Sequence, residues 1–306
     1  MARDPLRLIG EAGWTTGHEL LAEVSRSTVE RWVKGGLLVR LQPGIFALPA
    51  ATNDWQVRVA AAVHGREALA SHATALALWG LIGHPAGPVH ISVDRGRSGR
   101  GSPGVVVHRA ADAYAERRRV EGLPVSSVER AIVDVWGVSA TVPRTDVRAA
   151  AITAVRRRLC SPRDLNYELT RSPRLAGRTD LAELVRLLAD GCQSELEIWG
   201  CVHILRAPGM PAFVQQRRVA VGTETFALDA ANEESMLAVE MDGAAWHGSR
   251  VRREADIRRD SLLATVGWQT LRFGYGRMTR APEACRQEIR AVHVARLRLL
   301  GRDRVR

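Results

Sequence analysis

Hydrophobic and polar positions near the N-terminus predict two short helices followed by a hairpin. An apolar-spaced stretch around Leu20 and Leu21 ends at Ser25, and a second stretch puts Val29 and Trp32 on one face before Gly35-Gly36. Serine is a common N-cap and glycine a common helix terminator. The run LLVRLQPGIFAL then reads as two strands around a Gln-Pro-Gly turn. This order predicts a winged helix over residues 1–52.

The polar face of the second predicted helix carries candidate DNA contacts. Thr28, Arg31 and Lys34 point away from its apolar face, and Arg40 flanks the predicted wing. Such side chains contact phosphates and base edges when a helix enters the major groove. Small helix-hairpin units also serve as protein-interaction modules, so both interpretations remain open.

The middle of the chain alternates between helical and strand-like patterns. Residues 53–140 contain a long helical stretch, the strand-like runs VHISVD and GVVVHRA, and a helix opened by Ser126-Ser127. They predict an α/β domain. Residues 141–190 contain three helical patterns separated by prolines, which predict a helical connector.

A hydrolytic triad in the middle domain is not expected. Ser71 opens an alanine-rich helix and is better interpreted as its cap, and Asp134 lies inside an amphipathic helix. His72 would have to connect the two. No nucleophile-elbow sequence accompanies them.

Two strand-like runs in the last third of the chain bring acidic residues to one face. FALD and LAVEMD flank the polar turn ANEES, so they should pair antiparallel and set Asp229 opposite Glu240. Side chains alternate along a strand, which puts Asp242 on the same face as Glu240. Crowded carboxylates are costly unless a cation neutralises them, and oxygen ligands suit Mg²⁺. The alternative is a solvated edge hairpin.

Residues around the acidic hairpin extend the candidate chemistry. His247 follows the second strand closely and is a candidate general base or metal ligand. In the helix that comes next, Arg252 and Arg259 are candidate phosphate contacts, although their spacing to Asp256 also permits surface pairing. Upstream, Glu197 follows Ser194 at capping-box spacing, so it is either a catalytic acid or a helix cap.

Composition bears on the partner and the compartment. The net charge is +11, and the 44 basic residues include a single lysine, which favours a nucleic-acid partner; GC-rich coding explains the arginine bias but not the net excess. The four cysteines lack zinc-site or disulfide spacing. No signal peptide or apolar run of about 20 residues is present, so a soluble cytoplasmic protein without membrane contact is expected.

Two parts of the chain resemble known families. The winged helix, SHATALALWGL, VHISV and LPVSSVERAIVD resemble AbiE-type antitoxins over about residues 1–137, which implies a DNA-binding regulator with a possible toxin partner. Glu197, Asp229, AVEMDGAAWHG and GWQTLRF resemble the PD-(D/E)XK superfamily over about residues 191–290, nearest its Vsr-like (very-short-patch-repair) branch. The resemblance implies a mixed central sheet over residues 191–306.

The second resemblance also implies residue roles and a reaction. Asp229 would be the central metal-binding aspartate, Glu240 the second acid, Glu197 the helix acid, and His247 the histidine of the repair enzymes. Asp242 stands where the superfamily has a lysine. The expectation is an α+β multidomain DNA-binding protein with an endonuclease domain that depends on Mg²⁺ (or Mn²⁺). The alternative is a non-catalytic, antitoxin-like transcriptional regulator.

Overall fold

The computed structural model describes residues 4–64, 67–96, 102–111, 113–138, 142–242 and 250–302, with only the backbone of residues 250–253. The chain divides into two compact units. Unit 1 comprises residues 1–154 and 159–178, and unit 2 comprises residues 155–158 and 179–306. None of the described helices is both long enough and apolar enough to cross a membrane.

The helices are numbered in chain order. Those before the unit boundary are α1 Pro5–Ile9, α2 Gly17–Glu23, α3 Arg26–Lys34, α4 Trp55–Val63, α5 His72–Leu78, α6 Val128–Gly137, α7 Arg144–Arg156 and α8 Pro162–Arg171. The later ones are α9 Arg178–Ala189, α10 Glu195–Gly200, α11 Arg250–Thr265, α12 Tyr275–Arg280 and α13 Pro282–Leu299.

The strands form three sheets. The first has the order β1-β3-β2, from β1 Trp14–Thr16, β2 Val39–Gln42 and β3 Ile45–Ala47. The second has the order β6-β5-β4-β8-β7, from β4 Ala68–Ala70, β5 Val89–Asp94, β6 Val105–Ala110, β7 Arg118–Val120 and β8 Leu123–Val125. The third has the order β12-β11-β10-β9, from β9 Val214–Val221, β10 Glu224–Asn232, β11 Leu237–Asp242 and β12 Gln269–Gly274.

Unit 1 begins with the elements that the N-terminal pattern predicts. The Ser25 hydroxyl accepts the Thr28 N–H at the start of α3, and Gly35 follows its end. Val29 and Trp32 are buried in a core with Leu20 and Phe46. Because a helix this short gains most of its stability from such packing, the apolar face fixes its position. The winged-helix assignment and its DNA contacts stay predictions.

The predicted connector does not form a separate region. Its three helices are present, but α8 belongs to unit 1 and α9 from Thr179 onward belongs to unit 2. The Trp136 indole of α6 donates to the carbonyl of Gly177 at 2.9 Å, which ties the end of this region to the middle domain. Apolar faces such as that of Leu165 are fully buried, so these helices pack into existing cores.

Unit 2 has the mixed central sheet that the sequence predicts. β10 pairs antiparallel with β9 and β11, and β11 pairs parallel with β12. One face packs Val239, Met241 and Phe273 against α10, α12 and α13, while the other packs Ala238 and Leu228 against Leu263 of α11. The sheet is therefore covered by helices on both faces, and the acidic hairpin β10–β11 lies at its centre.

Candidate functional site

Asp229 and Glu240 are linked across the β10–β11 hairpin. The backbone N–H of Asp229 donates to Oε1 of Glu240 at 3.3 Å, and Oδ2 of Asp229 accepts the Met241 N–H at 2.9 Å. The register pairs Ala230 with Val239, one step away. The structure thus brings these two acids together as the strand pattern predicts, with each carboxylate bound to the backbone of the opposite strand.

The alternation of side chains breaks at Asp229. Leu228 packs in the core beneath α11, whereas Ala230 packs in the core on the opposite face. Residues two apart in a regular strand share a face, so the strand changes face between them. Gln216, beside this point on β9, has a φ of 52°. A positive φ is costly for a residue with a side chain and often marks a functional site.

Gln216 also connects Asp229 to Glu197. Its side-chain amide donates to Oε2 of Glu197 at 3.2 Å and lies 3.4 Å from Oδ1 of Asp229. An amide NH₂ has two donors, so one group can serve both carboxylates. The sequence does not single out Gln216, because a glutamine in a partly exposed strand gives no signal of its own.

Glu197 lies at the start of α10, where its position is fixed by two backbone contacts. Its N–H donates to the Ser194 hydroxyl at 3.1 Å, and its Oε2 accepts the N–H of Gln193 at 2.9 Å. The predicted capping box is therefore modified, since the carboxylate binds one residue earlier than Ser194. A Cβ added at Gly200 would lie 2.5 Å from Met241 Sδ, so α10 packs very closely on β11.

The three acids are poorly solvated. Glu240 is 3% exposed and Glu197 is 8% exposed. Burial raises the pKa of Asp229, and burial together with the Asp229 charge raises the pKa of Glu197 and raises that of Glu240 to about 7. The group therefore carries more negative charge than its surroundings balance. Such a cluster is typical of sites that bind a cation.

Arg259 of α11 is directed toward this group. Its guanidinium donates to Oε1 of Glu240 at 2.9 Å and to the carbonyl oxygen of Ala227. Its Nε is buried and has no hydrogen-bond partner among the described residues. The structure thus places Arg259 against a site carboxylate, and its predicted contact to a phosphate stays a prediction.

Asp242, at the end of β11, is more exposed than Asp229 and Glu240, and its role as a metal ligand stays a prediction. Its side chain is 48% exposed and lies 3.4 Å from Arg272. Arg272 also binds Asp260 through two hydrogen bonds of 3.0 Å and lies 3.8 Å from Asp256. The parallel register places Arg272 of β12 beside Glu240. Its guanidinium therefore reaches Asp242, the next acid along β11.

The other residues predicted from the sequence lie either outside the described residues or in unit 1. His247 lies outside the described residues, and so does the side chain of Arg252. In unit 1, Arg31, Lys34 and Arg40 are exposed and Thr28 is half-buried. The Arg40 guanidinium lies 5.3 Å from the centre of the Phe46 ring. The nucleic-acid role of these side chains stays a prediction.

Within the described ranges, no group of three or more histidine, cysteine or acidic side chains is arranged to hold a metal ion. The two carboxylates of Asp229 and Glu240 remain as oxygen donors. Mg²⁺ is commonly held by one or two protein carboxylates, with waters and substrate phosphates as its other ligands. The donor set therefore fits a hard divalent cation.

A second polar cluster lies in unit 1. The rings of His72 and His108 stack with centroids 3.6 Å apart, and His90 Nδ1 lies 2.9 Å from His108 Nε2. Ser71 Oγ and Asp134 both approach Nδ1 of His72, at 3.1 and 3.9 Å. A catalytic relay needs the serine and the acid on opposite ring nitrogens. Here Ser71 and Asp134 approach the same ring nitrogen of His72.

Comparison with known proteins gives the clearest match in the sheet of unit 2. Residues 205–292 match the family model REase_MTES_1575, a restriction endonuclease-like family. The chain carries a restriction-endonuclease-like domain. The matched segment includes Asp229, Glu240 and Arg259, and Glu197 lies shortly before it.

The names of the other similar proteins do not indicate an activity. Two uncharacterized proteins from two strains of Mycobacterium tuberculosis are each 26% identical over 285 residues, which is 91% of this chain and 100% of theirs. The crystal structure of the RV2827C protein from Mycobacterium tuberculosis is similar with a TM-score of 0.41 and 18% identity, over 56% of this chain and 72% of that one. The similarity to the two uncharacterized proteins extends over nearly the whole chain.

Proposed function

We propose that the restriction-endonuclease-like domain hydrolyses phosphodiester bonds in DNA and that it uses Mg²⁺ (or Mn²⁺) held by Asp229 and Glu240. The observation that carries this proposal is the pair of cross-strand hydrogen bonds, from the Asp229 N–H to Glu240 and from the Met241 N–H to Asp229, inside a restriction-endonuclease-like domain. Glu240 is buried and Asp229 is half-buried, which makes their unbalanced negative charge costly unless a cation is bound.

The residues around the two acids have distinct roles in this proposal. A divalent ion would supply Lewis-acid stabilisation of the phosphate and an activated water. Gln216 keeps Glu197 and Asp229 at a fixed spacing, so that Glu197 can orient water beside the cation. We also propose that His247, in the segment after β11, acts as a general base or ligand. Asp242 has a supporting role in this proposal, because its ion pair holds Arg272 beside Glu240 on the neighbouring strand.

DNA is the proposed substrate because of charge and exposure. The net charge is +11, and Arg31 and Lys34 are exposed on α3. Lysine and arginine contacts to phosphates supply sequence-independent affinity. We propose that the N-terminal region holds the DNA. The match to a nuclease family does not favour the alternative of a non-catalytic regulator.

The direct test is nicking of supercoiled plasmid by the full chain with Mg²⁺ or Mn²⁺, compared with the same reaction in EDTA. The wild-type chain should convert plasmid to the nicked or linear form only with the metal. Asp229→Asn should lower the rate by about 100-fold or more, as the loss of a central electrostatic group does in other enzymes.

Glu224→Gln is the matched control. Glu224 lies on the same strand as Asp229, but its carboxylate forms a surface pair with Arg258. This variant should cleave at the wild-type rate. Equal cleavage by the Asp229→Asn chain, or no cleavage by the wild-type chain with either ion, would reject the proposed function.

A further inference from the structure

Arg259 differs from the other arginines around the site in what it contacts. Its side chain is 21% exposed, and it meets a carboxylate, that of Glu240, which is 4% exposed. By contrast, Arg258, its neighbour on α11, is 61% exposed and pairs with Glu224 at the surface. Exposed pairs of the second kind contribute little to stability, whereas a buried carboxylate depends strongly on its partner.

The charge balance of the site gives Arg259 a particular importance. Glu197, Asp229 and Glu240 bring three carboxylates together in a poorly solvated space. Strand β11 adds a further acid, Asp242, but no cation. Arg272 is already engaged by Asp242 and by Asp260 at the rim. Arg259 therefore provides the direct positive partner of Glu240 from a different element, α11.

The geometry of Arg259 is suited to holding Glu240 in one orientation. A second hydrogen bond anchors the guanidinium to the backbone carbonyl of Ala227 on β10. Both bonds are donated by the same guanidinium nitrogen, Nη2, so the contact to Ala227 holds that nitrogen against the Glu240 carboxylate. Arg259 thus connects α11 to both strands of the acidic hairpin at the level of Asp229.

We infer that Arg259 is a positioning residue of the candidate nuclease site: it fixes the Glu240 carboxylate from α11 and limits how strongly the acids bind a cation. The cleavage half of this inference rests on the proposed function, and the cation-binding half does not. Removing the charge should strengthen metal binding and, at the same time, impair cleavage because Glu240 loses its orientation. A purely structural arginine would not produce these opposite effects.

The experiment compares four full-length chains: wild type, Arg259→Gln, Arg259→Lys and the matched control Arg258→Gln. Mn²⁺ binding is measured by calorimetry without DNA, and plasmid nicking gives kcat and KM. Arg259→Gln should bind Mn²⁺ about tenfold more tightly, since it lacks a positive charge next to the ligands. Its kcat should fall by about 100-fold with KM changed less than about threefold.

The other variants define the comparison. Arg259→Lys should keep the wild-type Mn²⁺ affinity and recover about a tenth or more of the activity, because it retains the positive charge but carries it on a more flexible side chain. Arg258→Gln should match the wild type in both measurements. Thermal melting of each chain shows whether it is folded.

Each outcome separates this inference from the proposed function. If the wild-type chain does not cleave but Arg259→Gln binds Mn²⁺ more tightly, the proposed function fails and the role of Arg259 stands. If the wild type cleaves and Arg259→Gln equals it in both measurements, the inference is overturned and the function stands. Parallel loss of Mn²⁺ binding and cleavage in both Arg259 variants, or no Mn²⁺ binding by any chain, also overturns it.

Discussion

The backbone N–H of Asp229 donates to the Glu240 carboxylate, and these residues lie on adjacent antiparallel strands. Asp229 in turn accepts the N–H of Met241. Each acid is therefore oriented by the backbone of the opposite strand and not only by its own rotamer. Because a hairpin is rigid when both faces are packed, the spacing of the two carboxylates is set before any ligand binds.

Replacement of Gln216 tests the bridge between Glu197 and Asp229. Gln216→Gly should suit the backbone at a φ of 52° but remove the amide, so any defect is due to the lost side chain. We expect nicking to fall by about tenfold while the melting temperature changes little. Gln215→Gly is the neighbouring control, since its amide contacts Cys201 and neither carboxylate. Equal rates in both variants would contradict the bridge.

Two variants separate the structural role of the Ser194–Glu197 cap from the chemical role of the Glu197 carboxylate. Glu197→Gln keeps an oxygen for the Gln193 N–H but removes the charge, so we expect slower nicking with nearly unchanged stability. Ser194→Ala removes the cap of α10 and should lower the free energy of unfolding of unit 2 by about 1 kcal/mol. Urea denaturation and nicking assays measure the two effects. Wild-type nicking by Glu197→Gln would leave Glu197 with a capping role only.

Acid should destabilise unit 1 through its histidines. Burial is the main cause of low pKa values in three histidines. The pKa of His72 is lowered to about 2 and that of His90 to about 4, and the pKa of His108 is also lowered. Arg130 and Asp134 face the same cluster. Unfolded histidines protonate near pH 6.5, so the free energy of unfolding should fall as pH decreases from 6.5 toward 4. For His72, the most deeply buried of the three, the loss should reach about 2 kcal/mol at pH 5.

Hydrogen exchange of the β5 peptide at pH 7.5 and pH 5, corrected for intrinsic rates, measures this effect. His72→Asn provides the comparison because asparagine tolerates the positive φ of 51° at this position. The pH dependence should be weaker in that variant. An unchanged pH dependence would show that His72 is not one of the responsible groups.

Neutralising α3 tests the predicted DNA contacts. Arg31→Gln combined with Lys34→Gln should weaken binding to duplex DNA and reduce the slope of log affinity against log salt by about 2. Fluorescence anisotropy at several salt concentrations gives this slope. Arg7→Gln, on α1, is a control that removes one positive charge from another helix, and its slope should change by less than half as much. An identical slope in all chains would exclude α3 from the DNA interface.

Several features of the fold were accessible from local sequence. The polar turn between FALD and LAVEMD set the pairing of β10 with β11, and alternation set Val239 and Met241 on one face. Ser25, Ser127 and Ser194 cap α3, α6 and α10 as the pattern predicts. These signals act over a few residues, so the sequence contains them directly.

Other features depend on contacts between distant segments. Nothing around Gln216 indicates that its amide meets Glu197, 19 residues away. Likewise, helical spacing permitted either a surface pair or a phosphate contact for Arg259, and only the packing of α11 on the sheet directs it to Glu240. Asp242 follows the alternation of β11, but Arg272 on β12 decides its partner.

The sequence by itself determined the acidic hairpin, because the polar turn between the two strands sets which residues lie opposite one another. It left open the break in alternation at Asp229 and the charge balance around the acids. Only the tertiary structure decided that Gln216 lies between two acids, that Arg259 neutralises Glu240, and that Asp242 is engaged by Arg272. The physical reason is that electrostatic partners are chosen by distance in space, and helix and strand packing set that distance.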